Sequence, residues 1–225
     1  MSKENIDWKQ FLNKYGYYAV DFSLNSMQRP SLNQLKEWMR TDEPRYTGWS
    51  PFWWPTRKEI APQVIDQDTF ECIHDGTGPV NHIERWQAST EGRFTIVRAY
   101  DVDEEEPGKY FDLTLPAWRV AEMLLYAGRM ADRFESRTVD FTLRYEGLAG
   151  RMLQTRAAPN RFLSGNYTTK AIKYEKRLSL STEDIDSGVI EMTDNLVRNL
   201  FELFQLTLPA TLCEEEITRM RTSRF

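Results

Sequence analysis

The feature that most constrains the fold is a segment in which apolar and polar residues alternate strictly. Val139, Phe141, Leu143 and Tyr145 are separated by single polar residues, which is the pattern of a strand with one buried face. Residues 18–24 alternate in the same way. Further strands are predicted at about 63–73, 93–101, 109–115 and 168–180. Two of these, 93–101 and 109–115, flank an acidic stretch like the arms of a hairpin, which favours an antiparallel sheet.

Apolar residues at helical spacing predict helices between these strands. Ser31 is a candidate N-cap, Pro116 suits the first turn of a helix, and Ser181 with Asp184 resembles a capping box. The predicted helices cover residues 7–14, 32–40, 116–134, the segment after 181 up to 206, and 212–222. On the helix at 116–134, Arg119 and Glu122 fall on the polar face. The sequence therefore predicts one α+β domain over residues 1–225, with helices packed on a mostly antiparallel sheet.

Composition narrows the class of protein. The chain has 225 residues and a formal net charge of −5, and this length can bury a core without a disulfide or metal. Two cysteines are too few for a secreted disulfide scaffold. No run of about 18 apolar residues is present, and the first residues lack the apolar stretch of a signal peptide. We expect a cytoplasmic protein with no membrane association.

The charges are segregated along the chain. Residues 101–106 form an acidic run, which we interpret as a solvated hairpin loop. Residues 144–177 carry eight basic residues against two acidic ones, interleaved with tyrosines, a pattern found on surfaces that bind phosphate or nucleic acid. The candidate contacts are Arg144, Arg151, Arg156, Arg161, Lys170 and Lys173. The alternative is that these residues belong to the solvated faces of two strands.

Residues 46–56 form a proline-punctuated aromatic segment that contains Trp49, Phe52, Trp53 and Trp54. Four large rings within six residues are difficult to bury locally, which makes them candidates for partner binding. The alternative is a core role, since large aromatic residues are usually buried. We expect Trp49 to be structural, because a glycine precedes it, and at least one of Trp53 and Trp54 to be accessible.

Motifs for catalysis, cofactors or metals are not found in the sequence. It contains no phosphate-binding glycine loop and no nucleophile elbow. Cys72, His74, His82 and Glu84 could be read as a zinc set, but their spacing matches no standard site, and a strand end explains them better. We predict no metal, no cofactor and no catalytic residue.

Three segments together resemble a known group of proteins. Residues 46–52, 115–122 and 145–151 are similar to the C-terminal region of bacterial proteins whose N-terminal part is a Schlafen/AlbA-type putative DNA-binding or ATP-binding domain. The resemblance extends over about residues 18–221, and its motifs are aromatic and structural. No AlbA-type domain is expected in this chain, so its nucleotide chemistry is not carried over. The resemblance implies an accessory, sensing or interaction domain and no catalytic residue.

The sequence thus favours a non-catalytic regulatory, sensing or protein-interaction module that acts through a protein partner or self-association in a bacterial regulatory or defence system. One alternative is a nucleic-acid or nucleotide-binding protein that uses residues 144–177. The other is an enzyme with an unrecognised carboxylate or Arg/Tyr site.

Overall fold

The computed structural model describes residues 15–76, 82–104, 106–155 and 163–222. Its main sheet has seven strands in the order β2-β3-β4-β5-β1-β7-β9, and every neighbouring pair is antiparallel. A separate parallel pair joins β6 and β8. The strands are β1 (Tyr17–Leu24), β2 (Gln63–Val64), β3 (Thr69–Asp75), β4 (Ile83–Ser89), β5 (Arg93–Ala99), β6 (Tyr110–Asp112), β7 (Thr138–Glu146), β8 (Met152–Gln154) and β9 (Lys173–Ser181).

Four α-helices complete the described fold: α1 (Leu32–Thr41), α2 (Leu115–Arg133), α3 (Thr182–Glu202) and α4 (Leu212–Thr222). The α+β class and the antiparallel sheet predicted from sequence are confirmed. The predicted helix at 7–14 lies outside the described residues. Within the described part of the chain, no helix is long and apolar enough to cross a membrane.

Capping accounts for the start of α1 and the end of α3. Ser31 accepts a hydrogen bond from the backbone of Gln34, and the Gln34 side chain accepts one in return, so α1 begins with a capping box. The capping box predicted at Ser181 is wrong, because that side chain makes no cap hydrogen bond. α3 ends before residue 206 because Gln205 has a φ of 60°. The Leu206 amide then bonds to the Phe201 carbonyl at 3.2 Å, as in a Schellman motif.

The helices cover one face of the sheet and leave the other face to solvent. On β1, Val20 and Phe22 are buried against the helices, whereas Asp21 on the opposite face is half-exposed and pairs with Arg144 of β7. α2 is buried along most of its length because it contacts the sheet on one side and α3 and α4 on the others. Because α2 is buried on several sides, its polar residues do not form the solvent-exposed stripe expected of a surface helix.

The hairpin predicted from segments 93–101 and 109–115 is wrong. β5 pairs with β4 and β1 inside the main sheet, whereas β6 pairs in parallel with β8. The acidic run is also not a solvated loop throughout, since Asp101–Glu104 forms a 3-10 helix in which Asp103 is fully buried. A buried carboxylate needs a partner, and Arg151 supplies one at 2.5 Å.

Three further features of the strands differ from the prediction. The strand predicted at 63–73 is divided into β2 and β3. β4 was not predicted. The strand predicted from residue 168 begins as β9 at Lys173, and Thr168 forms an isolated bridge to Met152.

Candidate functional site

In the aromatic loop, residues 46–56, the four candidate binding rings separate into one core residue and three partly buried residues. Phe52 is 1% exposed and has a φ of 53°, a left-handed backbone that costs roughly 1–2 kcal/mol for a residue other than glycine. Its ring is stacked on Tyr126 at 5.1 Å and lies edge-on to Phe22, Trp86 and Phe94. Phe52 therefore anchors the loop, and the prediction that it binds a partner is wrong.

Trp49, Trp53 and Trp54 are half-buried and form what we call the tryptophan surface. The ring centroids of Trp49 and Trp53 are 4.8 Å apart. Trp49 also donates from its Nε1 to Glu84 at 3.2 Å. Trp54 is edge-on to Phe70 at 4.9 Å. Each of these rings is thus packed on one side while keeping part of its surface accessible.

A buried ion pair on neighbouring strands supports Trp49 from below. Arg98 of β5 and Glu84 of β4 are 1% and 0% exposed and are hydrogen bonded to each other. Burial alone would lower the pKa of Arg98, but the Glu84 carboxylate holds that pKa above its ordinary value. The other Arg98 nitrogens donate to the backbone carbonyls of Trp49 and Ser50, both at 3.3 Å.

Two charged residues of α2 hold the first part of the loop. Arg119 donates to the Thr47 hydroxyl at 2.8 Å and to the Trp49 carbonyl at 2.9 Å. Glu122 accepts from the backbone amides of Tyr46 and Thr47, at 3.1 and 3.2 Å. Burial raises the pKa of Glu122. Both side chains are buried, so their assignment to the solvent face of the helix is wrong.

A groove lies between the tryptophan surface and α1. Its volume is about 540 Å³, and Trp53 and Trp54 line it together with residues of α1 and of the segment that follows. A second depression, of about 350 Å³, adjoins it beside Trp49 and Trp53. The charged residues along the groove are Lys36, Glu37, Arg40, Glu43 and Arg45. Glu43 and Arg45 form an ion pair at 3.3 Å. The remaining charged side chains of the groove are those of Lys36, Arg40 and Glu37, which carry two positive charges and one negative charge.

The basic segment is only partly available as the polyanion surface predicted for it, because Arg151 and Arg144 are paired with acidic side chains. Arg151 is 1% exposed, and its guanidinium contacts both oxygens of Asp103 at 2.6 and 2.5 Å, so its predicted phosphate contact is wrong. Arg144 is committed to an ion pair with Asp21. Lys170 and Lys173 are exposed. Arg156 and Arg161 lie outside the described residues.

The residues considered for zinc are engaged in other contacts. The Cys72 sulfur lies 3.4 Å from Nε2 of His74, His82 lies 3.7 Å from Asp101, and Glu84 belongs to the ion pair with Arg98. Across the described ranges, no group of three or more histidine, cysteine, aspartate or glutamate residues could hold a metal ion.

Sequence reasoning missed the buried charges that position the loop. Arg98 continues the buried phase set by Phe94 and Ile96, and Glu84 stands in phase with Trp86. A charged residue at an apolar position of an alternating strand is a signal of a buried pair, because an isolated buried charge is too costly. No family model, curated protein or solved structure matches this chain. The likeness to Schlafen/AlbA-associated proteins stays a prediction.

Proposed function

We propose that this chain is a non-catalytic interaction module that docks an extended segment of a protein partner in the groove between α1 and the tryptophan surface. One observation carries the proposal. Three partly buried tryptophan rings belong to a loop whose backbone is bonded to three buried charged side chains, Arg98, Arg119 and Glu122. This is a partly accessible aromatic surface on a fixed support.

The fixed support matters because binding must offset the entropy lost when a surface becomes ordered. Here the carbonyls of Trp49 and Ser50 and the amides of Tyr46 and Thr47 are already bonded, and Phe52 secures the backbone in the core. The tryptophans can therefore contact a partner with little further ordering. Tryptophan is also enriched among the residues that contribute most to protein interfaces.

The charges along the groove indicate the partner's chemistry. Lys36 and Arg40 are exposed on α1, and Glu37 is the acidic residue left beside them once Glu43 is paired. We infer a segment that places an aromatic or aliphatic side chain against Trp53 and Trp54 and carries acidic residues next to it. As expected from the sequence, we also propose that the protein has a regulatory role in a bacterial regulatory or defence system and is located in the cytoplasm.

A displayed library of random peptides tests this function. Peptides selected on the wild-type protein should share an apolar residue flanked by acidic ones. Trp53→Ala and Trp54→Ala should each weaken their binding about 30-fold, the equivalent of about 2 kcal/mol at an interface hot spot. Ile172→Ala is the matched control, because Ile172 is an apolar residue that is 70% exposed away from the groove. Thermal melts verify that each variant is folded.

The proposal fails if no peptides are enriched or if the tryptophan variants bind them as tightly as the control does. Binding of a single-stranded oligonucleotide with steep salt dependence, without peptide binding, would instead favour the nucleic-acid alternative.

A further inference from the structure

A cavity lies on the helix-covered side of the sheet, where α2 begins. Tyr18 of β1 and Tyr145 of β7 are register partners, and their ring centroids are 6.0 Å apart. Both line the cavity, as does Arg119 of α2. Its volume is about 30 Å³, against about 540 Å³ for the groove beside α1. The cavity is therefore small and takes only a few atoms.

Three polar groups on residues that line this cavity have no hydrogen-bond partner within the part of the chain that the structure describes. They are the hydroxyls of Tyr18 and Tyr145 and the Nε of Arg119, all of them buried. Buried polar groups in native proteins are nearly always hydrogen bonded. The hydroxyl of Tyr100, which also lines the cavity, donates to the Glu146 carbonyl at 2.9 Å. The three unpartnered groups thus need a partner that the described residues do not supply.

The missing partner must accept hydrogen bonds. An arginine Nε can only donate. Burial raises the pKa of Tyr18 to about 12 and that of Tyr145 well above its ordinary value, so both hydroxyls stay protonated and can donate at neutral pH. An oxygen atom, with its two lone pairs, suits such a set of donors. The rest of the wall is largely apolar, formed by Val102, Phe111, Leu115 and Pro116.

The charges around the cavity argue against an anionic ligand. Arg119 already faces Asp101 at 3.2 Å and Glu122 at 4.0 Å. A second carboxylate of the lining, that of Asp112, accepts from the Leu115 amide at the start of α2 at 3.0 Å. A charged carboxylate or phosphate would add negative charge to a low-dielectric site whose one lining cation is already matched.

We propose that this cavity binds the carbonyl end of a small, uncharged, planar molecule such as a carboxamide. Its oxygen accepts from Tyr18, Tyr145 and Arg119, and its flat body lies against the apolar lining that includes Phe111. A volume of about 30 Å³ admits a group of a few atoms rather than a bulky one. Apolar walls with a few placed polar groups are the usual make-up of a small-molecule site.

Arg119 also connects this cavity with the aromatic loop, because its Nη1 donates to both the Thr47 hydroxyl and the Trp49 carbonyl. A ligand that bonds to Nε would act on the same guanidinium that supports the tryptophan surface. The two proposals share Arg119 but are tested at different side chains, Trp53 and Trp54 for docking and Tyr18 and Tyr145 for the cavity. Loss of peptide docking in Trp53→Ala with carboxamide binding intact would leave the cavity proposal standing.

Acetamide and benzamide are the probes, and benzoate is the charged counterpart of benzamide. We expect at least one amide to bind saturably in calorimetric or NMR titrations and to raise the melting temperature. Benzoate should bind at least about tenfold more weakly than benzamide because of the surrounding carboxylates. If neither amide binds with a dissociation constant below about 10 mM, the proposal is wrong.

Tyr18→Phe and Tyr145→Phe each remove one donor without removing any hydrogen bond of the fold. Each should weaken amide binding about tenfold. Tyr126→Phe is the matched control, because the Tyr126 hydroxyl is also buried and unpartnered in the described structure but does not line the cavity. Equal effects of all three variants would overturn the proposal. So would an ordered water that bonds to all three groups and is not displaced by an amide.

Discussion

Replacing Arg151 by glutamine distinguishes a residue of the folded core from a residue that contacts phosphate. Its guanidinium makes two contacts with Asp103 and also donates to the Tyr110 carbonyl at 2.7 Å. The two charged side chains are 1% and 0% exposed. In Arg151→Gln the Asp103 carboxylate loses its cation while it stays buried. Removing one partner of such a pair costs about 3–5 kcal/mol, a large part of the 5–15 kcal/mol typical of whole domains.

Urea unfolding followed by circular dichroism measures this cost. Arg144→Gln is the control, because the side chains of Arg144 and its partner Asp21 are 38% and 35% exposed, and pairs at the surface contribute less than about 1 kcal/mol. In an Arg151→Met background, Asp103→Asn should cost less than it does alone, since no buried cation is left behind. A loss below about 1 kcal/mol for Arg151→Gln would refute the reasoning.

Three further outcomes follow from the site. Phe52→Ala should lower the free energy of unfolding by about 3–5 kcal/mol in urea titrations, whereas Phe52→Leu should retain most of it; equal losses would contradict the anchoring role. Burial raises the pKa of Cys213 from 9.0 to about 12, which lowers its thiolate fraction at about pH 8 roughly 1000-fold; alkylation of the native protein should be correspondingly slow, and alkylation as fast as in urea would contradict this. Protein purified without chelator should hold less than about 0.1 equivalent of zinc by elemental analysis; stoichiometric zinc that is lost in His74→Ala would reverse that expectation.

Much of the fold could be predicted from sequence because alternation reports burial directly. β1 and β7 each keep one apolar face, and they lie side by side in the sheet. β4 was not predicted because its buried face includes Glu84 as well as Trp86 and Ala88. The charged residue interrupts the alternation of apolar and polar residues. That glutamate makes sense once its partner Arg98, on the neighbouring strand β5, is known. The apolar and polar pattern of one strand does not show which other strand pairs with it, because that pairing depends on tertiary structure.

The sequence indicated which segment contains the candidate site, but it did not indicate how the side chains of that segment are arranged. Four rings in one loop indicated an aromatic cluster, but which ring enters the core depends on the left-handed backbone at Phe52. A side chain rarely adopts that conformation without tertiary contacts to hold it. Likewise, Arg119 and Glu122 read as surface residues because helical periodicity assumes one solvated face. α2 has little such face, since α3 and α4 pack over it.

The separation of charge along the chain is explained by the ion pairs of the folded state. Asp103 of the acidic run meets Arg151 of the basic segment across 48 residues, and the pair is completed by the Gly16 amide, which donates to Asp103 at 2.7 Å. Asp101 of the same run is matched by Arg119, which lowers its pKa against the opposing effect of burial. A charge buried in such a pair is not free to attract an external polyanion. The sequence pattern that suggested nucleic-acid binding is therefore partly a pattern of folding, because the acidic run also bonds to Arg119 of α2 and to the Gly16 amide just before β1.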